Sequence, residues 1–514
     1  MKLGRLLDGV EVVSPALGQA TGGSPKAATA GVDAVEVSSV AYDSRKAQPG
    51  GMFVAVRGEK ADGNKFVAAA IEKGARAIVS EQPRPAEAPA PLAWIQVREA
   101  RKALAAISAN FCGRPAEALK LTGITGTNGK TTTAYLVDSI ARAAGHGSGL
   151  AGTIEYRTPR GSRSASNTTP ESLELQQFFA EVRGAGGTHA ALEVSSHALA
   201  QDRVWACPFA AAVFTNLTRD HLDYHKTFEA YFAAKKRLFT GTGRGAPRVA
   251  VINSDDAYGR QLPGLAPSTL TYGLAAGADV SAGKFALTVS GLEFTARTPA
   301  GAVEVRSKLV GRINVYNILA AIGGGLALGI PPDSIARGVA ALESVPGRFQ
   351  RVDAGQPFLV IVDYAHTDDA LRNLIQTARE LNPSGRIITL FGCGGDRDRA
   401  KRPLMGEAAG SLSHSVVLTS DNPRTEDPAR ILNDALVGLQ KVNANYVVEM
   451  DRARAIELAL RDARPGDIVL LAGKGHETYQ ILNTGTIDFD DREVARAALR
   501  RMGFPARQKE EGRR

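Results

Sequence analysis

Residues 119–145 constrain this chain more than any other stretch. Positions 123–133 read G-I-T-G-T-N-G-K-T-T-T. An apolar run with strand character, Leu119, Leu121 and Ile124, enters the stretch. A helical pattern leaves it, with Val137, Ile140, Ala141 and Ala144 on one face and a stop at Gly145. Gly126 and Gly129 let the N–H groups around Thr127 and Asn128 approach an anion with no Cβ in the way. The helix N-terminus, at Thr131 and Thr132, adds partial positive charge. Lys130 supplies a full charge, and Thr131 a hydroxyl of the kind that ligates Mg²⁺. The pattern predicts a phosphate cradle in an α/β unit. It departs from strict G-x-x-x-x-G-K-[ST], because Ile124 stands where the first glycine belongs. Which phosphate each N–H meets therefore stays open.

The chain has 514 residues, which at about 150 per domain predicts three domains. Net charge is +9, but the basic residues are scattered and form no stripe interleaved with aromatics. That excess suits anionic small substrates, not nucleic acid. Cys112, Cys207 and Cys393 are too widely spaced for a metal knot or a disulfide framework, which predicts a reducing cytoplasm. The start has no signal layout, the apolar stretch 318–330 is too short to span a bilayer, and no membrane insertion is expected. The charged tail 507–514 is expected to fray.

Residues 1–115 read as a small α/β domain. Strands are predicted at 51–58, 77–80 and 93–97, and helices at 66–74 and 99–111. The Ala-, Gly- and Pro-rich segments 18–31 and 82–91 read as loops. Polar clusters at 42–45 and 61–66 read as turns when taken alone. Residues 113–118 are a candidate linker.

Residues 116–345 read as the nucleotide domain. A strand at 188–194 ends in E-V-S-S-H, and one at 210–215 ends in N-L-T-R-D-H. An acid or imidazole at a buried strand end beside a phosphate loop is where Mg²⁺ ligands belong, which points to Glu193 and His221. Helix capping is the plainer reading of Asp220 and His221 alone. In the helix 229–239, Lys235 reads by spacing as a solvated lysine. The Ala- and Gly-rich helix opening at 311–317 should pack closely against something. Its asparagines could cap it or read a base edge.

Residues 346–514 show the most regular pattern. Strand-like runs at 358–362, 387–391, 416–419 and 468–471 each end in a polar loop followed by a helical pattern. That repetition predicts a Rossmann-like, doubly wound parallel sheet with ligands at the carboxyl ends of its strands. Arg397 and Arg424 emerge from two of those loops, and a guanidinium fork suits a carboxylate. Asp421, Asn422 and Glu477 suit an ammonium. Together they describe a pocket for an amino-acid zwitterion. A nucleotide site one domain away makes ATP-driven ligation the natural reaction. The γ-phosphate activates a carboxylate, and the bound amine displaces phosphate. Positioning and charge neutralisation by Lys130 and Mg²⁺ would carry catalysis.

From end to end the chain resembles the Mur ligases of peptidoglycan synthesis. The carrying motifs are G-T-N-G-K-T-T at 126–132, N-T-T-P at 167–170, E-V-S-S-H at 193–197, A-K-K-R-L-F at 234–239 and D-N-P-R-T-E-D-P at 421–428. The last resembles the signature of the branch that adds meso-diaminopimelate, rather than lysine, to UDP-N-acetylmuramoyl-L-alanyl-D-glutamate. The resemblance implies uridine-diphosphate contacts at Tyr42, Ser44 and the loop near Ala61. It implies muramoyl-dipeptide contacts at Asn167, Thr168, Thr169, Ser195, Gln201 and Arg203. It implies Mg²⁺ ligands at Thr131, Glu193, His221 and a CO₂-derived carbamate on Lys235, with Lys236 one register away and the spacing to Leu238 favouring Lys235. Asn317, Arg348 and Asp363 are implied as ATP contacts, and Arg397, Asp421, Asn422, Pro423, Arg424, Gly473 and Glu477 as the diaminopimelate pocket. A monomer that closes its domains on substrate is also implied; scattering profiles that overlay with and without ligands would sink the closure. The competing readings are a lysine-adding or folate-polyglutamylating ligase of the same superfamily, and a nucleotide-switched binding protein that ligates nothing.

Overall fold

A computed structural model describes residues 1–17, 35–58, 61–89 and 91–504. The expected loop at 18–31 and the tail at 507–514 lie outside the described residues, as does position 90 of the segment 82–91. The described residues form three main sheets, each α/β.

The first sheet has five strands in the order Val12–Leu17, Ala93–Val97, Ala77–Ser80, Met52–Val54, Val40–Ala41. All pairs are parallel except the one made by Val12–Leu17. The two polar clusters are indeed tight turns, capped by Asp43 and Asp62, whose carboxylates accept from Arg45 N and Asn64 N. The expected linker is packed instead of loose. Pro115–Ala118 is a short 3₁₀ turn, and Ala116 is buried against the second sheet's core.

The second sheet has eleven strands, with the phosphate-loop strand Lys120–Thr125 between Phe209–Phe214 and His189–Glu193. Its central pairs are parallel. A long antiparallel meander, Val280–Thr288, Gly291–Thr298 and Gly301–Ser307, extends one edge. One face is covered by helices Lys130–Ala143, Arg312–Ala327 and Pro332–Ala341, the other by Ser172–Gly184 and Phe228–Thr240. The expected close packing of the glycine-rich helix has a plain cause. A Cβ at Gly323 would lie 2.6 Å from Val251 Cγ1, so only glycine lets this helix settle on the sheet.

The third sheet runs Gln350–Arg351, Leu359–Asp363, Ile468–Ala472, Ile387–Phe391, Ser415–Leu418, Tyr446–Val448, parallel except for its first strand. Helices Asp368–Leu381, Lys401–Leu412 and Pro428–Lys441 cover one face, and Arg452–Asp462 with Asp491–Arg501 the other. The sheet is doubly wound, as the repeated pattern predicts. The fourth loop differs from expectation. After Ile468–Ala472 the chain makes a hairpin, Tyr479–Leu482 with Gly485–Asp488, before its helix.

Candidate active site

The phosphate loop is tied to its neighbours before any ligand arrives. Thr127 N donates to Asn216 O at 2.9 Å, and Asn128 N to Asn216 Oδ1 at 2.9 Å. Two N–H groups expected to face an anion are thus engaged by Asn216, a residue the motif did not point to. The donors left to the cradle are those at the start of helix Lys130–Ala143, which follows Gly129 in left-handed backbone. Gly126 is obligatory, because a Cβ there would sit 1.9 Å from Thr215 Oγ1.

Lys130 Nζ lies over the loop, donating to Gly126 O at 2.9 Å and Thr127 O at 2.7 Å. Protein atoms crowd its half-buried ammonium, and that desolvation lowers its pKa against the pull of Glu193 and Asp220. Thr131 Oγ1 donates to Glu193 Oε2 at 3.0 Å and accepts from Arg348 Nη2 at 3.1 Å. Glu193 also accepts from Thr153 N at 2.8 Å and Thr153 Oγ1 at 3.1 Å.

Lys235 corrects the reading by spacing. It is buried at 1% exposure, with Nζ 2.7 Å from Gly126 O and 4.5 Å from the Tyr231 ring centroid. Burial, and then the Lys130 charge, push its pKa well below the ordinary lysine value. Its neighbour Lys236 is only half-buried. His221 stands in left-handed backbone with Nε2 3.3 Å from Asp220 Oδ2. Burial holds its pKa down to about 3, so the ring is neutral and able to ligate. The capping alternative fails for His221, whose side chain makes no cap bond to the short helix Leu222–His225.

These groups line one cleft with residues of the third unit, Arg348, Asp363, Tyr364 and His366 among them. Contacts cross it directly. Asn128 Nδ2 donates to Asp369 Oδ2 at 2.8 Å, and His366 Nε2 and Lys401 Nζ approach Asp220 at 3.8 and 3.9 Å. Asp363 accepts from Phe349 N at 2.7 Å and Ala365 N at 2.8 Å, and burial raises its pKa. Asn317 Oδ1 faces Gly129, while its Nδ2 donates to Asn314 Oδ1 at 2.9 Å. Neither asparagine caps the helix, whose first turn follows Gly311 with no side-chain cap. Val310, Ile313, Leu374 and Thr377 add an apolar wall. Sequence reading did not assemble that wall, because its parts come from two units.

The remaining expected residues fall into three groups. Tyr42 OH donates to Glu174 Oε1 at 2.9 Å, joining the first unit to the second, and Ser44 opens the adjoining turn. Asn167 to Arg203 form a connected patch next to Glu193. Thr168 and Thr153 hydroxyls meet at 3.1 Å, Thr169 Oγ1 donates to Glu193 O at 2.7 Å, and Ser195 caps the helix Ser196–Ala200. In the same patch Arg203 donates to Thr169 O at 2.9 Å and to Gln201 Oε1 at 2.7 Å. In the third group, Arg397 and Arg424 both flank Gly394, whose Cβ would lie 3.1 Å from Arg424 Nη1 and 3.8 Å from Arg397 Cγ. Arg397 is exposed, and its Nη1 donates to Asp396 O at 2.8 Å. Arg424 donates to Gly395 O at 2.8 Å, and burial followed by the Arg397 charge lowers its pKa. Pro423 precedes it, and Gly473 N donates to Asp363 O at 3.0 Å, linking this loop cluster to the cleft. Gly473 is at φ +113, with Asp421 Oδ2 2.7 Å from where a Cβ would be.

Residues 36–112 match the Mur ligase family catalytic domain, 124–325 the Mur ligase middle domain, and 347–475 the Mur ligase glutamate ligase domain. A UDP-N-acetylmuramoyl-L-alanyl-D-glutamate–2,6-diaminopimelate ligase of Solibacter usitatus is 54% identical over 98% of this chain and 99% of its own. The ligase of that name from Geobacillus kaustophilus is 45% identical over 91% and 96%. A solved structure of a ligase of that name is 34% identical, covering 91% of this chain and 95% of its own at a TM-score of 0.62. A MurF ligase from Thermotoga maritima in complex with ADP is 18% identical and shares the fold, covering 91% and 99% at a TM-score of 0.62. Three α/β units, the middle one with a phosphate loop facing the last, define an ATP-dependent ligase. The chain belongs to the Mur ligase family.

Proposed function

We propose that this chain joins meso-diaminopimelate to UDP-N-acetylmuramoyl-L-alanyl-D-glutamate, consuming ATP, in peptidoglycan synthesis. The observation that carries the reading is the meeting of two sites in one place. The phosphate loop opens into the cleft at Asp363, and the Asp363 carbonyl is bonded to the loop that presents Gly473 and Glu477. We read three modules dividing near residues 115 and 345. The first takes the uridine diphosphate at Tyr42, Ser44 and the loop near Ala61, the second takes ATP and the dipeptide, and the third takes the amino acid. Reaction in the cytoplasm fits three unpaired cysteines, and among the described residues no helix is long and apolar enough to cross a membrane.

In this reading Lys130 and the following helix N-terminus hold the triphosphate, with Asn317, Arg348 and the apolar wall around the nucleoside. The dipeptide's terminal carboxylate attacks the γ-phosphorus, giving an acyl phosphate and ADP. The neutral amine of diaminopimelate then attacks the acyl carbon, phosphate leaves with the proton that the nitrogen sheds, and an amide remains. Arg424 and Arg397 hold a carboxylate of the amino acid, and Glu477 with Asp421 an ammonium. The Asn167–Arg203 patch orients the dipeptide. No proton-transfer residue need dominate.

Mg²⁺ fits the donors at hand. Thr131 and Glu193 already meet, His221 is neutral, and an anionic oxygen on Lys235 would add a further hard ligand. Among the described residues no three His, Cys, Asp or Glu side chains gather into a metal group, so the lysine's modification matters. When bound, the cation would offset phosphoryl charge. A buried amine shifted toward neutrality is the form that adds CO₂. Native mass spectrometry in bicarbonate is expected to find the chain heavier by one CO₂, lost on acidification and absent from Lys235→Met. An unmodified mass in every condition would remove the carbamate.

Incubation with Mg-ATP, the UDP-dipeptide and a panel of amino acids, with mass detection of the joined product, tests the function. Phosphate release that ignores both other substrates would favour a nucleotide switch. Arg424→Ala should weaken use of diaminopimelate by about ten- to a hundredfold, the cost of one charged hydrogen-bonded contact. Unchanged KM and kcat would refute the pocket.

A further inference from the structure

Lys474 is fully buried, at 0% exposure. A buried lysine is costly unless its ammonium is matched. Its Nζ lies 3.1 Å from Asn422 Oδ1 and 3.2 Å from Glu477 Oε2. Asn422 Nδ2 in turn donates to the same Glu477 oxygen at 2.9 Å, and Ile481 N donates to Asn422 Oδ1 at 2.9 Å. Lysine, asparagine and glutamate therefore close a triangle that joins the Asp421–Arg424 loop to the 473–477 loop. The lysine belongs to neither the phosphate cradle nor the guanidinium pair, and the resemblance assigns it no role.

Charge counting gives it one. Asp421 and Glu477 are two carboxylates close enough to repel, and burial followed by Asp421 raises the Glu477 pKa. With Lys474 the group carries one net negative charge, the complement of a single ammonium. Without it, the buried Asp421 and the mostly buried Glu477 repel unopposed, which favours protonating one of them over attracting the substrate. Besides Asp421 and Lys474, the groups that feel Glu477 are Arg424, Arg452, Tyr364 and Tyr479. The two tyrosines are neutral near pH 7, and both arginines stand beyond the triangle's hydrogen bonds.

Resting on the ligase reading above, we propose that Lys474 is a positioning and specificity residue, which keeps Glu477 ionised and aimed so that the pocket accepts one ammonium of a zwitterionic amino acid. It touches no reacting atom. It acts through Glu477 and Asn422.

The test compares wild type with Lys474→Met and Lys474→Gln in the full ligation assay, varying diaminopimelate at several pH values. The glutamine keeps a donor for Asn422 Oδ1 while removing the charge. Both variants should raise KM for diaminopimelate about tenfold or more, with KM for ATP and for the dipeptide little changed. In both, that KM should fall as pH rises over the range in which the enzyme is stable, because burial and Asp421 raise Glu477 and the lysine's opposing charge is gone. Wild type should be flat there. A KM for the amino acid unchanged in both variants, or raised but without pH dependence, would overturn the proposal, as would failure of both variants to fold, which would make the lysine a folding element. Wild-type protein that ligates no amino acid would instead sink the ligase reading.

Discussion

Lys130→Ala is expected to lower kcat about 10²- to 10³-fold, the loss typical when one preorganised group facing developing charge is removed. The lysine stands at the junction of the loop and its helix, and its Nζ bonds go to two loop carbonyls, Gly126 O and Thr127 O. Gly126 O keeps its bond from Lys235 Nζ and Thr127 lines the cleft, so truncation strands neither carbonyl and leaves the fold intact. The energetic loss then falls on the triphosphate. A triphosphate oxygen offers this ammonium a better partner than a neutral carbonyl does, so the lysine should move to it. Because phosphoryl transfer leans on charge neutralisation, the effect should appear in single-turnover phosphate formation more than in the apparent affinity for ATP. Circular dichroism should be unchanged. Turnover within tenfold of wild type would mean that the loop does not hold the reacting phosphates.

The part of the site legible in sequence was the part built from short range. Strand, loop and helix between 119 and 145 announce the cradle because their spacing is local. The repeated strand-plus-polar-loop pattern beyond 346 announces a parallel sheet, and its loops do share one edge. What could not be read depends on distant segments meeting. Leu359–Asp363 pairs with Ile468–Ala472 across a hundred or so residues, so no spacing rule could say that Asp363 and Gly473 would touch. Lys235 sits in A-K-K-R, which looks solvated, and only the packing of Phe228–Thr240 under the phosphate loop buries it. Asn216 carries no local mark because its role, holding Thr127 N and Asn128 N, exists only once Phe209–Phe214 lies beside Lys120–Thr125. In the meander, Gly291–Thr298 and Gly301–Ser307 alternate apolar and polar residues, a local strand signal carried by the sequence.

The same distance argument singles out Arg452, which no motif marks. Arg452→Met is expected to destabilise the third unit by about 3–5 kcal/mol, the range for breaking a buried ion pair by removing one partner. Both Arg452 and Asp491 have fully buried side chains, and their bond is two-pronged, Nε to Oδ1 at 2.8 Å and Nη2 to Oδ2 at 2.7 Å. The guanidinium also donates to Ser420 O at 3.3 Å and Ala472 O at 3.0 Å. Those carbonyls immediately precede Asp421 and Gly473, so one side chain clamps two strand ends at the point where they present the pocket. Methionine would fill much of the volume but leave the buried Asp491 carboxylate without the guanidinium that matches it, and take one donor from each of the two carbonyls. Urea unfolding should shift to lower concentration, and hydrogen exchange should quicken at 415–421 and 468–474 before elsewhere. The double variant Arg452→Met with Asp491→Leu should recover more than half of the loss, because it removes the stranded charge along with its partner. If the single variant unfolds within about 1 kcal/mol of wild type, the range of an exposed pair, the clamp is not what holds these loops together.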